Sequence, residues 1–364
     1  MPGEVQSDPQ AIDAEWLTAV LDQAGVADGA KITDVEFAGD IGTGQTGRSA
    51  RLRLTWDRPE GRPASIVGKF PSADPHARAQ AFGNGVYLKE CRFYSDVVET
   101  VGIRAPHTYA VRVDEQAPDF VLLMEDLADS RQGDQLDGLS VEQVGLAIEQ
   151  AVALHAPRFG DPSVETLFLN GMPKPSPEEA AMMAQATYGM TLPGFLDRLG
   201  HRLDPDVAEL ATRFADKVGR WTMGTGTPLT IVHYDFRADN FLFGETADAP
   251  PIVVVDWQTV NPGLGHSDLA YVISGSFPDA ADRATAERDL VEDYRRRMAA
   301  AGVEQSADDC WRDYRFGSLW GMIITVIATV LAEHTERGND MLTAMAQRHG
   351  RQALDLDAMA LLED

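Results

Sequence analysis

The chain has 364 residues, 44% hydrophobic and 24% charged. At roughly 150 residues per domain this is two domains or one large two-lobed fold, which excludes a small stapled scaffold, a disordered chain and a coiled coil. Lys and Arg number 31 against 57 Asp and Glu, a net charge of −26; that balance repels phosphate backbones and anionic lipid, so neither nucleic acid nor a membrane is expected as a partner. The two cysteines, Cys91 and Cys310, show no Cys-x-x-Cys spacing, and residues 1–13 are acidic and polar, so a reducing cytoplasm is the expected compartment.

A short helix is predicted over residues 11–23. From 33 to about 67, short alternating runs (Val35, Leu52, Leu54, Trp56, Ile66 and Val67) predict antiparallel strands. The period lengthens over 85–101, a predicted helix, and strand signals return at 108–112 and 119–124. The first 125 residues thus predict a small antiparallel sheet with one inserted helix. Beyond Leu127 the pattern is mostly helical, strongest at 141–155, 205–218, 281–300 and 311–333, so the fold class is α+β. The last of these contains an apolar run, 316–332, at the lower limit of bilayer-spanning length; Gly317, Ser318, Gly321, Thr325 and Thr329 dilute it and Arg315 and Glu333 bracket it, which predicts a buried helix. One non-helical island, 229–256, holds two β-rich runs, 230–232 and 252–255.

The island reads His233-Tyr234-Asp235-Phe236-Arg237-Ala238-Asp239-Asn240, then Val253-Val254-Val255-Asp256-Trp257-Gln258. An aspartate, an asparagine five positions on and an aspartate ending a β run make an ordered trio of oxygen donors. Phosphoryl transfer needs hard oxygen ligands for magnesium and a carboxylate to take the incoming hydroxyl's proton. Asp235 is accordingly the expected base or orienting group, Asn240 and Asp256 the metal ligands, and Arg237 a neutraliser of γ-phosphate charge. Any one of these residues alone would be an ordinary turn-former; the spacing of all three is the signal. His233 is expected to fix the loop backbone, His155 to be a satisfied core histidine, and Asp268 to be an N-cap before an apolar helix.

This arrangement resembles the catalytic loop and metal-binding segment of the protein-kinase-like fold. The branch is that of small-molecule kinases, which includes aminoglycoside phosphotransferases, choline kinases and ecdysteroid-kinase-like proteins. The resemblance reaches from about Val35 to Asp268. Tyr234 stands where that branch commonly has the glycine of His-Gly-Asp. Asp256-Trp257-Gln258, and the spacing of Phe93-Tyr94 from Glu90, are similar to the ecdysteroid-kinase-like branch. The resemblance implies a bilobed molecule: a nucleotide-binding lobe over 1–123, a hinge at 124–130, and a helical lobe over 131–364 with catalytic loop 233–240, metal segment 253–258 and the acceptor site. It also implies that the acid at Asp268 braces the catalytic loop.

The first lobe must then offer a phosphate-covering loop, a lysine and a helix glutamate. Gly42, Gly44 and Gly47 form the loop motif. Of five lysines (Lys31, Lys69, Lys89, Lys174 and Lys217), only Lys69 ends a β run downstream of that loop. Glu90 is its expected partner, with Glu99 as the alternative. Backbone groups from Glu125 to Leu127 would read adenine, with Met124 guarding the pocket. Only eleven residues separate Asp256 from Asp268, too few for a peptide-docking activation segment. The expected activity is therefore ATP- and Mg2+-dependent phosphorylation of a hydroxyl on a small molecule: an antibiotic, sugar, steroid or other alcohol. The acceptor would be gripped by residues of 167–199 and the last helices, among them Met172, Met182, Met183, Tyr188, Met190, Phe195, Trp311, Trp320 and Met322. Two rivals are a nucleotide-binding pseudokinase without turnover, and a phosphatase using Asp235 as nucleophile.

Overall fold

The computed structural model describes residues 5–42, 46–169, 173–332 and 334–363. In it the alternating first third folds as a five-stranded antiparallel sheet. Strands β1 (Ile32–Ile41), β2 (Gly47–Trp56), β3 (Ser65–Pro71), β4 (Thr108–Val113) and β5 (Phe120–Glu125) take the order β1-β2-β3-β5-β4. Central β3, Ser-Ile-Val-Gly-Lys-Phe-Pro, is buried from its second residue on, and its register sets Lys69 opposite Ser49 of β2 and Leu122 of β5. Helix α1 (Ala14–Gln23) lays Trp16, Leu17, Val20 and Leu21 into a core with Leu52, Ile66, Val121 and Leu123. It starts later than predicted because Asp13 caps it, accepting from the Trp16 N–H at 2.7 Å.

Two helices, where one was predicted, stand between β3 and β4. Asp74 caps α2 (Pro75–Gly83), and α3 (Val86–Arg92) follows. The predicted helix 85–101 does not continue as α: Phe93–Val97 is a π turn and Val98–Thr100 a 3-10 turn. The widened turn lets the adjacent Phe93 and Tyr94 both be buried, Phe93 lying flat on Trp257 with ring centroids 3.6 Å apart. The chain through Glu99, Ala105–Ser130 and Val255–Thr259 make up this first compact unit.

The second unit holds Thr100–Arg104, Arg131–Val254 and the chain from Val260 onward. Its small sheets use β6 (Ser130–Gln132), β7 (Thr230–Val232), β8 (Phe241–Gly244), β9 (Ile252–Val254) and β10 (Asn261–Gly263), ordered β6-β8-β9 and β10-β7. β8 was not predicted; four residues are too few to show a period. The helices are α4 (Val141–His155), α5 (Pro177–Leu199), α6 (Pro205–Phe214), α7 (Val218–Thr222), α8 (His266–Ser276), α9 (Ala280–Ala300), α10 (Ala307–Gly317), α11 (Trp320–Leu331) and α12 (Glu336–Asp355). A Ser140–Gln143 capping box sets the start of α4 where it was predicted. The 205–218 helix ends early, the Lys217 N–H turning back to Phe214 O.

The predicted 311–333 helix is broken in two, and Glu333 itself lies outside the described residues. Gly317 presses on α8, where a Cβ would sit 2.6 Å from the His266 carbonyl oxygen, and the Ser318 hydroxyl bonds Arg315 O at 2.6 Å. Ala307–Leu331 is long and apolar enough by length and composition to cross a membrane. Here α11 instead packs Met322, Ile323 and Val326 into a core with Tyr188, Leu192 and Phe195 of α5. α8 is buried along its whole length, as a helix without a polar face must be.

Candidate functional site

In the first unit, Lys69 rises from β3 between two carboxylates: Nζ donates to Glu90 Oε1 at 2.7 Å and to Asp256 Oδ1 at 2.9 Å. Glu90, on α3, is the predicted partner, and Glu99 stands exposed. Burial works against the ammonium, but Asp256 and Glu90 outweigh it and hold Lys69 above the ordinary lysine range. Glu90 moves upward, because its burial exceeds what Lys69 returns. The three groups sum to one net negative charge. The Asp256 side chain is 40% exposed while that of Glu90 is 1% exposed.

The glycine-rich segment lies beside this triad. Gly42 has φ +74°, a conformation glycine adopts without strain; Gly44 lies outside the described residues. A Cβ on Gly47 would meet Phe70 O at 3.3 Å and Lys69 Cε at 3.4 Å. Thr46 donates its hydroxyl to Gln258 Oε1 and accepts at its carbonyl from Tyr87 OH, the latter at 2.6 Å. The loop's end is thus tied to α3 and to the residue two after Asp256, links that the sequence reading missed because they join positions 46, 87 and 258. At the end of β5, Met124 is buried opposite Val67, Glu125 accepts from the His107 N–H at 2.6 Å, and Leu127 is half-buried with its carbonyl accepting from Ser130 N–H at 3.0 Å.

In the second unit, loop 233–240 leaves β7 and enters β8. Asn240 Nδ2 donates to Asp235 Oδ2 at 2.9 Å and to its carbonyl at 2.7 Å. Arg237 Nε lies 2.9 Å from Asp235 Oδ1, and Nη1 donates to Asp239 Oδ2 at 2.5 Å. Burial opposes the guanidinium's charge, but Asp235 and Asp239 hold it firmly protonated. The Arg237 guanidinium is therefore bonded to two carboxylates of its own loop. Asp239 was missed by the sequence reading; it also accepts from Gln135 N–H at 2.8 Å, docking the loop on the chain after β6. Gly133 allows that docking, since a Cβ there would lie 2.4 Å from Ala238 O.

The loop's entry is held from below. Asp268, fully buried, accepts from the N–H groups of His233 at 2.7 Å and Tyr234 at 2.8 Å. It sits inside α8 rather than at its N-cap, so the capping expectation is corrected and the bracing implied by the family resemblance is what the geometry shows. His155 is buried between Asp268 and Tyr294, and His233 Nδ1 accepts from Asp235 N–H at 3.2 Å; both are the structural histidines expected. Tyr234 has φ +66°, which explains the glycine common at this position: an L side chain in that region costs roughly 1–2 kcal/mol. Its ring is held by Trp320 at 4.3 Å between centroids, and its carbonyl by the Trp320 indole N–H at 2.9 Å.

Asn240 and Asp256 each offer an oxygen of the kind that magnesium takes. Asn240's two acceptors fix its amide so that the oxygen is the end left to ligate, and Asp256 offers a carboxylate that is 40% exposed. Magnesium takes one or two protein oxygens and completes its shell with water and phosphate; no cluster of three His, Cys, Asp or Glu ligands occurs among the described residues. Of the side chains proposed for the acceptor, Tyr188, Phe195 and Met322 are core, and Met182, Met183 and Met190 are exposed. Trp320 stacks against Trp221 and packs tilted on Tyr234, Trp311 carries Arg288 over its ring, and Met172 lies outside the described residues.

Comparisons with known proteins bear on the fold and the family. No curated protein sequence matches. Among solved structures, a Ralstonia eutropha JMP134 protein described as a candidate aminoglycoside phosphotransferase is 16% identical, over 94% of this chain and 98% of its own, with TM-score 0.56. Plasmodium vivax ethanolamine kinase is 12% identical, over 87% and 82%, also at 0.56. The GDP complex of wild-type aminoglycoside 2'-phosphotransferase-IIIa is 15% identical, over 92% and 97%, at 0.51. At such identities these likenesses show the fold alone, α+β and protein-kinase-like. The profile of the phosphotransferase enzyme family, however, matches residues 46–301, more than half of the sequence, and the chain belongs to that family.

Proposed function

We propose that the protein is an ATP- and Mg2+-dependent kinase that phosphorylates a hydroxyl group of a small molecule. The observation that carries this is Asp235. Its carboxylate is oriented by Asn240 and Arg237 within a loop braced by Asp268, the arrangement needed to hold an incoming hydroxyl. In the reaction the acceptor oxygen bonds to the γ-phosphorus, the bond from phosphorus to the β–γ bridging oxygen breaks, ADP leaves, and the hydroxyl proton passes to Asp235. Lys69, held by Glu90, contacts the nucleotide's phosphates, and the amides around Gly42, Gly44 and Gly47 cover them. Magnesium, when bound, neutralises phosphate charge; Asp256 and Asn240 are the residues to hold it. Arg237 orients the base through its pair with Asp235. Backbone groups from Glu125 to Leu127, beside Met124, take the adenine.

Support for the nucleotide comes from relatives solved with GDP, and for a small acceptor from kanamycin, ethanolamine and aminopropanol in relatives' names. Within the family we place the chain nearest the ecdysteroid-kinase-like branch, on Asp256-Trp257-Gln258 and on the spacing of Phe93-Tyr94 from Glu90. Two buried cysteines outside any disulfide accord with the cytoplasm. The test is ADP or GDP release with magnesium over a panel of alcohols, amino-alcohols and aminoglycosides, for wild type and Asp235→Asn. Acceptor-dependent release falling about a thousandfold in D235N is expected; nucleotide binding without release for any acceptor would replace this reading by the pseudokinase.

A further inference from the structure

The Asp235 carboxylate has a neighbour from outside its own loop. Tyr271 of α8 donates its hydroxyl to Oδ1 at 3.3 Å. It is 1% exposed, and burial, then the charge of Asp235, holds the phenol well above its ordinary range, so it stays a donor at any working pH. A ring able to tilt would fix nothing. This ring lies face to face with His349 of α12, centroids 4.5 Å apart and planes within 8°.

His349 is fully buried, and among the described residues neither of its ring nitrogens has a hydrogen-bond partner. Burial, then the charges of Arg348 and Arg237, push it down to about 3, so it is neutral. A buried imidazole that makes no hydrogen bond is costly as a polar group; what it contributes here is a flat ring. Room for that ring comes from Gly321 of α11, where a Cβ would lie 2.4 Å from His349 Cγ.

We propose that Tyr271 is a positioning residue for the base, holding Oδ1 while Asn240 holds Oδ2, and that His349, seated by Gly321, sets the plane of the tyrosine. This rests on Asp235 being the base. Neither residue touches substrate in the proposal, so their loss acts on turnover and not on ground-state binding.

The experiment is steady-state ADP release with the best acceptor of the panel, comparing wild type, Tyr271→Phe, His349→Phe and His349→Ala, each checked for folding by circular dichroism. Y271F is expected to lower kcat about tenfold, the loss for one hydrogen bond to a charged group, with both KM values within about twofold. H349A should resemble Y271F, and H349F should restore what H349A loses. An unchanged kcat in Y271F overturns the proposal, as does equal activity of H349A and H349F; if H349A does not fold, Y271F alone decides. Turnover lost in D235N yet kept in Y271F sinks only the positioning role, whereas a wild type without turnover removes the base reading and this proposal with it.

Discussion

Lys69 sits among more negative charge than it can neutralise, and that imbalance makes it testable. Removing the ammonium leaves Glu90 buried at 1% exposure without a counter-charge. Lys69→Met should therefore cost about 3 kcal/mol in urea unfolding at pH 7. The deficit should shrink as pH falls, because burial already raises Glu90 and a protonated Glu90 no longer misses its partner. In wild type the raised Lys69 contributes its stability fully below the ordinary 10.5 and loses it only as pH rises beyond that. Adding Glu90→Gln to Lys69→Met should restore most of the stability but no ADP release; a double variant as unstable as the single would show that the pair's charge is not what holds α3. Lys69 and Glu90 were legible in the sequence because a rare residue type ended a β run upstream of a helical glutamate. Tyr271, Asp239 and Gln258 were not, because each acts on a partner that local periodicity cannot see.

Loop 233–240 is the element where one side chain constrains its neighbours. With Tyr234 at φ +66°, the ring takes the space beside Gly263 of β10, where a Cβ would lie 2.0 Å from the tyrosine hydroxyl. Gly263→Ala should cost about 2 kcal/mol in the wild-type background and close to nothing in Tyr234→Gly, a non-additivity of about 2 kcal/mol in thermal or urea unfolding. Equal costs in both backgrounds would show that the ring does not demand the glycine. The helices teach a related lesson. α4 appears where its pattern places it because its capping box is local. The predicted helix 311–333 splits because Gly317 meets the backbone of α8, a constraint from residues some fifty positions away.

For the whole molecule, buried histidines and a net charge of −26 set the response to acid. Burial chiefly lowers His266 to about 4 and His349 to about 3, from an ordinary 6.5. The unfolded chain therefore takes up protons near pH 6.5 that the folded chain refuses. Stability is complete above that value and declines as pH falls toward about 4, by on the order of a few kcal/mol. Unfolding free energies at pH 7, 6 and 5, compared between wild type and His349→Phe, isolate that histidine's share. His349→Phe should flatten that slope, and a slope unaltered by the substitution would assign the acid limb elsewhere.

The sequence by itself determined the candidate residues and the fold class: Asp235, Asn240 and Asp256 at their spacings, Lys69 at the end of its strand, and an α+β chain with a sheet first and helices after. Those are properties of residue type and short-range period, which a chain carries before it folds. Tertiary structure alone decided which groups hold these residues in place. Asp268 came to lie under the loop from inside a buried helix, Tyr271 and His349 met from α8 and α12, and Gly263 and Gly321 stayed small to admit another residue's ring. Contacts across tens or hundreds of positions depend on how whole elements pack, and packing is settled by volume and burial that no local pattern encodes.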